Sequence, residues 1–311
     1  MAGFPAQQPG RYYLTEGGQE TEIMYRHGHD LPEFAMFALL DRPEARDDLR
    51  AMFTRYLETA AANGFVPLMG GVDYRLSPDW GQLIGYAPAE LQEMQLRAID
   101  LLREVARPFR AQVPEILFVG IVGPRGDAYQ LNRDITEAEA EDYHSAQVGW
   151  LKMAGVDLVS ALTFNNVPEA VGLSRAAARA GLPVSVSFTL DSTHRLRSGP
   201  SLREAIEATD AALGADRPDF YGVNCSHPYE FLPALEPGDW VLRLRALRPN
   251  AAMMDKISLC SLGHLEEGDW HELGHLMGDL ARRYPHMDVW GGCCGTWDKH
   301  LNEIARNVRR A

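Results

Sequence analysis

Cysteine is scarce in this chain, with four in 311 residues. So few argue against a secreted scaffold held by disulfides. In a reducing cytoplasm, thiols that cluster are metal ligands or catalysts. Long apolar runs are missing too: none approaches the roughly 18 residues of a membrane span. Residues 1–18 hold neither a basic nor an apolar stretch, so no secretory signal is expected. Positive charge is in deficit. The 30 Lys and Arg against 43 Asp and Glu give a formal net charge of −13, which speaks against a nucleic-acid or anionic-membrane partner. There is no low-complexity tract, and nothing in the pattern specifies an oligomeric state. What is present is an ordinary globular balance, 46% hydrophobic and 23% charged, as expected of a soluble cytoplasmic enzyme.

Short apolar runs alternate with helical patterns from end to end. Strands are expected at Tyr12–Leu14, Phe65–Met69, Ile116–Val122, Asp157–Leu162, Pro183–Phe188, Phe220–Val223, Met253–Leu259 and Met287–Trp290. Helices are expected near Arg42–Asn63, Pro88–Ala106, Thr136–Ala154, Val167–Ala180, Leu202–Leu213, Trp270–Tyr284 and Trp297–Arg309. In the first of these helices, Leu49, Met52, Phe53 and Leu57 share one face. Strands alternating with helices imply a parallel sheet. Eight such units without a long linker predict one (β/α)8 barrel domain over residues 1–311. A doubly wound open sheet is the alternative. It would want G-x-G-x-x-G after an early strand, and the chain lacks that motif.

Three cysteines follow predicted strands. Cys225 stands in Gly222-Val223-Asn224-Cys225-Ser226-His227-Pro228. Cys293 and Cys294 stand in Gly291-Gly292-Cys293-Cys294-Gly295-Thr296. Neighbouring residues on a regular strand point to opposite faces. The flanking glycines let the chain leave strand geometry, so that both thiols can turn to one point. Three thiolates meeting at strand ends form the ligand set of a zinc site with one open position. In a barrel, Glu16-Gly17-Gly18, Thr163, Cys225, Cys260 and Cys293-Cys294 would ring the C-terminal mouth, where barrel active sites lie. Cys260 reads as a buried core thiol.

At these residues the chain resembles the zinc-dependent homocysteine S-methyltransferases. This family includes the betaine- and S-methylmethionine-using enzymes and the homocysteine module of cobalamin-dependent methionine synthase. The resemblance runs from Glu16-Gly17-Gly18-Gln19-Glu20-Thr21-Glu22 through Gly120-Ile121-Val122-Gly123-Pro124, Gln147, Ala154-Gly155-Val156-Asp157 and Val186-Ser187-Phe188 to the two cysteine motifs. It implies a (β/α)8 barrel in which Cys225, Cys293 and Cys294 bind Zn2+. It also implies that Glu16, Gly17, Gly18, Thr163 and Asn224 contact the substrate. Three positions depart from the family pattern. Glu16 replaces an Asp, and Leu162 replaces a Glu that helps hold the substrate ammonium. Cys260-Ser261-Leu262-Gly263 stands where an Asn- and Gly-containing turn is expected after the seventh strand.

The implied chemistry is methyl transfer from a sulfonium or quaternary ammonium donor to a small-molecule thiol, with homocysteine giving methionine. An alkyl thiol has a pKa near 8.5, and zinc coordination removes its proton. The nucleophile is then the substrate thiolate, and no protein nucleophile is needed. An onium donor leaves as a neutral molecule, so no strong general acid is required. Tyr74, Trp80, Tyr86, Phe164 and Trp297 are candidates for cation–π contact with such a donor. Other readings are the same chemistry on another thiol or selenol, a zinc-binding regulatory barrel without catalysis, and a zinc hydrolase. The last is disfavoured because three thiolates dampen Lewis acidity.

Two motifs lead elsewhere. His271-Glu272-Leu273-Gly274-His275 matches the H-E-x-x-H zinc-protease pattern. At about 100° per residue, however, Leu273, Leu276, Met277 and Leu280 form the apolar stripe and the two histidines face away from it. Asn224-Cys225-Ser226 matches a glycosylation acceptor without a secretory signal to support it.

Overall fold

The computed structural model describes residues 3–130, 135–254 and 263–311. Eight strands form a closed barrel in sequence order, with every neighbouring pair parallel. They are β1 (Tyr13–Leu14), β2 (Val66–Met69), β3 (Leu117–Val122), β4 (Leu158–Phe164), β5 (Val184–Phe188), β6 (Phe220–Asn224), β7 (Leu244–Arg248) and β8 (Val289–Trp290). Pairing of Leu14 with Trp290 closes the ring.

Strand periodicity divides the core in two. In β4, Leu158 and Leu162 point into the barrel, where they pack with Tyr13, Ile121, Phe220 and Val289. Val159 and Ala161 point outward under the helices, and Phe164 joins them because the register shifts after Ala161, where Thr163 is left-handed. Residues i and i+2 share a face, so one strand serves both layers. Phe4 closes the bottom of the barrel, with its ring 4.9 Å from those of Tyr13 and Phe220.

The helix Glu137–Ala154 shows why these helices begin and end where they do. Thr136 accepts from the Glu139 N–H and the Glu139 carboxylate returns to the Thr136 N–H, a reciprocal cap. Gly155 ends the helix at φ 69°, a left-handed conformation that glycine adopts without a Cβ clash. In the helix Trp270–Arg283, Leu273, Met277 and Leu280 are buried while His271 and His275 are exposed. The two histidines thus lie on the face opposite the apolar stripe, as the periodicity predicts.

One strand lies elsewhere than expected. The seventh is Leu244–Arg248, and Met253 and Met254 belong to no strand. Two arginines in Leu-Arg-Ala-Leu-Arg hid it, because hydropathy reads them as exposed. Both are buried: Arg245 grips Asp288 at 2.8 and 2.5 Å, and Arg248 reaches Glu16. The turn after the seventh strand is therefore Pro249-Asn250-Ala251. Cys260 lies outside the described residues, as does most of the Cys260–Gly263 segment assigned to that turn. No helix among the described residues is long and apolar enough to cross a membrane.

Candidate functional site

The C-terminal strand ends bring the three cysteines together. Cys225 directly follows β6, and Cys293 and Cys294 follow β8 by two glycines. Their Sγ atoms all lie within 4.8 Å of one another. Cys225 and Cys293 form a disulfide with Cα atoms 5.3 Å apart, and the Cys294 Sγ is 3.9 Å from that of Cys225.

Backbone contacts from four loops hold this cluster. The Cys293 N–H donates to the Pro249 carbonyl at 2.8 Å, and the Ala251 N–H donates to the Cys294 carbonyl at 2.9 Å. The Cys225 N–H donates to the Arg248 carbonyl at 3.2 Å. The Gly292 N–H donates to the Glu16 carbonyl at 3.0 Å, and the Gly18 N–H to the Thr296 carbonyl at 2.8 Å. The β1 loop must come very close to do this. A Cβ on Gly17 would stand 2.6 Å from the Thr296 oxygen, and one on Gly18 2.5 Å from the Cys293 oxygen. Only glycine fits at both positions.

Thr163, at the end of β4, and Cys225, just past β6, are left-handed at φ 60° and 52°. Such backbone costs on the order of 1–3 kcal/mol and is concentrated at functional sites. Asn224 links the two segments. Its Oδ1 accepts from the Thr163 N–H at 2.8 Å, and its Nδ2 lies 3.9 Å from the Cys293 Sγ. Thr163 Oγ1 is 2.5 Å from the Tyr74 hydroxyl.

A cavity of about 60 Å³ opens over the cysteines, and Gly17, Gly18, Glu20, Leu162, Thr163 and Asn224 are on its wall with all three thiols. Glu16 lies deeper, facing the barrel interior. Its carboxylate accepts from the Gly70 N–H and sits 3.4 Å from Arg248 Nη2. Burial pushes the Glu16 carboxyl up to about 7, against the opposing pull of Arg248. Burial also pushes Glu20 up to about 7 and nearby Asp73 up to about 6. The guanidinium of Arg248 is held below its ordinary value by the same burial. Glu20 and Arg248 escaped the sequence reading. Glu20 could have been found as an acid two residues past a Gly-Gly turn at a strand end. Arg248 was hidden by the misplaced seventh strand.

A second cavity of about 260 Å³ adjoins the first. Phe34, Tyr74, Tyr129 and Cys294 belong to both walls, and Tyr25 and Trp80 complete the aromatic side of the second. Tyr74 and Trp80 thus line a cavity at the mouth, although the Arg75 guanidinium lies over both, at 5.1 and 3.8 Å. Phe164 instead packs in the outer core, 5.7 Å from the His144 ring. Tyr86 bonds Asp41 at 3.0 Å, and Trp297 lies under Arg26 and Lys299 at 3.5 and 4.6 Å. Those three rings are engaged by the protein itself.

The donor set fits a thiophilic metal. With Zn–S bonds of about 2.3 Å, tetrahedral geometry places sulfurs about 3.8 Å apart, and Cys225 and Cys294 stand at 3.9 Å. The disulfide and a three-thiolate metal site exclude each other, so metal binding requires Cys225 and Cys293 reduced.

The likeness to known proteins covers the same span. The chain is 24% identical over 340 residues to homocysteine S-methyltransferase 4 of Zea mays, covering 100% of this chain and 93% of that protein. It is 25% identical over 236 residues to a methionine synthase of Mycobacterium leprae (strain TN), covering 71% of this chain and 18% of that protein. Among solved structures, the homocysteine methyltransferase MmuM from Escherichia coli shares the fold at 20% identity. Its oxidized form gives a TM-score of 0.75 with 94% of each chain covered, and its metallated form 0.74 with 96% of each. The profile of the homocysteine S-methyltransferase family matches residues 13–308, nearly the whole barrel, and the chain belongs to that family.

Proposed function

We propose that this protein is a zinc-dependent S-methyltransferase that moves a methyl group from a sulfonium or ammonium donor to homocysteine, giving methionine. Residues 1–311 form one catalytic domain working in the reducing cytoplasm. The observation that carries this reading is the convergence of Cys225, Cys293 and Cys294 within 4.8 Å on the wall of a cavity at the barrel mouth. When bound there, zinc supplies a fourth coordination position that draws the proton off the acceptor thiol.

The chain's own residues then position the reactants. Thr163 and Asn224 brace the wall beside Cys293. Gly17 and Gly18 let the β1 loop close over the thiols. Ile121 and Leu162 give an apolar side that excludes water. Glu20 lies on the wall and Glu16 one layer deeper beside Arg248; these are the carboxylates offered to an acceptor ammonium. The acceptor sulfur attacks the methyl in line, and no protein side chain acts as nucleophile.

Replacing Cys293 with Ala tests the reading. One zinc per chain and methyl transfer are expected in the wild type, and loss of both in the variant. Full zinc content in Cys293→Ala would defeat the ligand assignment. Leu162 favours a second reading, the same chemistry on a thiol or selenol without an amino group, and a thiol panel separates the two. Zinc binding without turnover on any thiol would mark a regulatory barrel.

A further inference from the structure

The turn that carries Cys294 is backed by residues 266–268, which are on the wall of neither cavity. Gly295 is left-handed at φ 80° and packs directly on this segment: a Cβ on it would stand 2.2 Å from the Glu266 oxygen. A Cβ on Gly268 would stand 2.2 Å from the Ala251 oxygen. Ala251 is the residue whose N–H holds the Cys294 carbonyl. Residues 266–268 thus back the cysteine turn by two routes, one direct and one through Ala251. They belong to no helix or strand, so no backbone ladder fixes them.

Glu267 is the anchor of this segment. Its carboxylate pairs with Lys299 in the helix Asp298–Arg309 and, at 3.3 Å, with Arg26 at the end of the helix Gln19–Tyr25. Its carbonyl accepts from His300 Nε2 at 2.8 Å. Both cations are held in turn by aromatic rings. Lys299 Nζ lies 3.8 Å from the centre of Trp270, and the Arg26 guanidinium 3.5 Å from that of Trp297. The Lys299 and Glu267 side chains are only 24% and 30% exposed. Burial pushes the Glu267 carboxyl up, but its contacts, that with Lys299 first among them, outweigh this and hold it below its ordinary value. One residue thus ties the segment to two helices, and its immediate neighbours press on the cysteine turn.

We propose that Glu267 is a positioning residue for the metal site: by pinning residues 266–268 it holds the Cys294 turn in ligand geometry without itself touching metal or substrate. This rests on the zinc reading above. A site's ligands must be held to within about 0.5 Å of the productive arrangement by the residues behind them. Cys294 stands next to a left-handed glycine, whose backbone freedom gives the thiol no fixed direction of its own. Releasing the segment behind it frees the thiol to leave the position that the other two cysteines face.

The test measures the zinc dissociation constant by chelator competition on the reduced, full-length protein. The variants are Glu267→Gln, Lys299→Met, the two combined, and Asp279→Asn as a control that breaks an exposed ion pair with Arg282. Glu267→Gln and Lys299→Met should each raise the constant about 10-fold or more, the scale of losing an outer partner of a metal ligand. The combined variant should lose no more than Glu267→Gln alone, because both act through one link. Asp279→Asn should stay within about twofold of wild type. A merely structural glutamate would lower the unfolding midpoint of the metal-free protein and leave the zinc constant unchanged; that result would overturn the proposal. A second measurement needs no metal. The alkylation rate of Cys294 by iodoacetamide, read by peptide mass, should rise about fivefold or more in Glu267→Gln as the turn opens. Wild-type rates in that variant would overturn the proposal as well. If wild type binds no zinc, the zinc reading fails, and the alkylation rates still decide whether Glu267 holds the turn.

Discussion

Leu162, Glu20 and Arg248 are all on the wall around the thiols, the pocket proposed for the acceptor. An apolar side chain at the end of β4 leaves an acceptor ammonium to the carboxylates of the β1 loop. Leu162→Glu should therefore raise kcat/KM for homocysteine relative to a simple alkanethiol. Glu20→Gln should weaken homocysteine by roughly 10- to 100-fold and spare the alkanethiol, the scale of one buried charge-assisted contact. Impaired homocysteine use in Leu162→Glu, with Glu20→Gln silent, would place the ammonium contact elsewhere. Glu16 adds a pH dependence. Its folded carboxyl is held up to about 7 from an ordinary 4.5, so the folded protein keeps a proton that the unfolded chain has lost in this window. The contribution is full below pH 4.5 and is lost as pH rises to 7. The stability of wild type relative to Glu16→Gln should thus fall as pH rises across that range. Urea denaturation at several pH values measures it, and a flat difference would refute the assignment.

At the scale of elements, β7 is the instructive case. Its apolar positions, Leu244, Ala246 and Leu247, were legible, but Arg245 and Arg248 broke the hydrophobic run. A buried arginine is acceptable only where a partner waits, and the partners lie far off in sequence. Arg245 meets Asp288 just before β8, and Arg248 meets Glu16 just after β1. Removing one member of a buried pair strands the other. Arg245→Leu should cost about 3–5 kcal/mol, while the double replacement of Arg245 and Asp288 by Leu should recover most of that. Chemical denaturation of the three proteins checks it, and an innocuous single variant would show the pair to be dispensable. The elements around β7 were legible for the opposite reason. The helix Leu202–Leu213 has its cap and its apolar face within its own sequence, and its ends fall where expected.

On the scale of the whole molecule, the proposed metal site would act as a cross-link. Cys225 and Cys293 are separated by 68 residues and tie the end of β6 to the end of β8. A ligand present at 100 times its dissociation constant stabilises the fold by about 2.7 kcal/mol. For a barrel of this size, that corresponds to a shift on the order of 5 °C. Chelating zinc from reduced protein should lower the unfolding temperature by about that much, and added zinc should restore it. Protein oxidised at Cys225 and Cys293 should not respond, because two of its ligands are spent. Equal responses from the reduced and oxidised proteins would separate the metal from these cysteines.

The chain's alternation of apolar runs with helical patterns determined the barrel, with seven of its eight strands where those runs predict them. Its two cysteine motifs at strand ends determined which thiols would meet. Both signals are local: a strand's period, a helix's cap and a Gly-Gly-Cys-Cys run are written in consecutive residues. Tertiary structure alone decided that Glu16 lies beneath the pocket and Glu20 on its wall. It alone decided that Arg248 is buried against Glu16, and that Arg75 lies over the Trp80 and Tyr74 rings on a cavity wall that includes Cys294. Those facts depend on which side chains from distant strand ends share one low-dielectric space. A charge's partner across the barrel mouth leaves no mark on its own neighbours in the sequence.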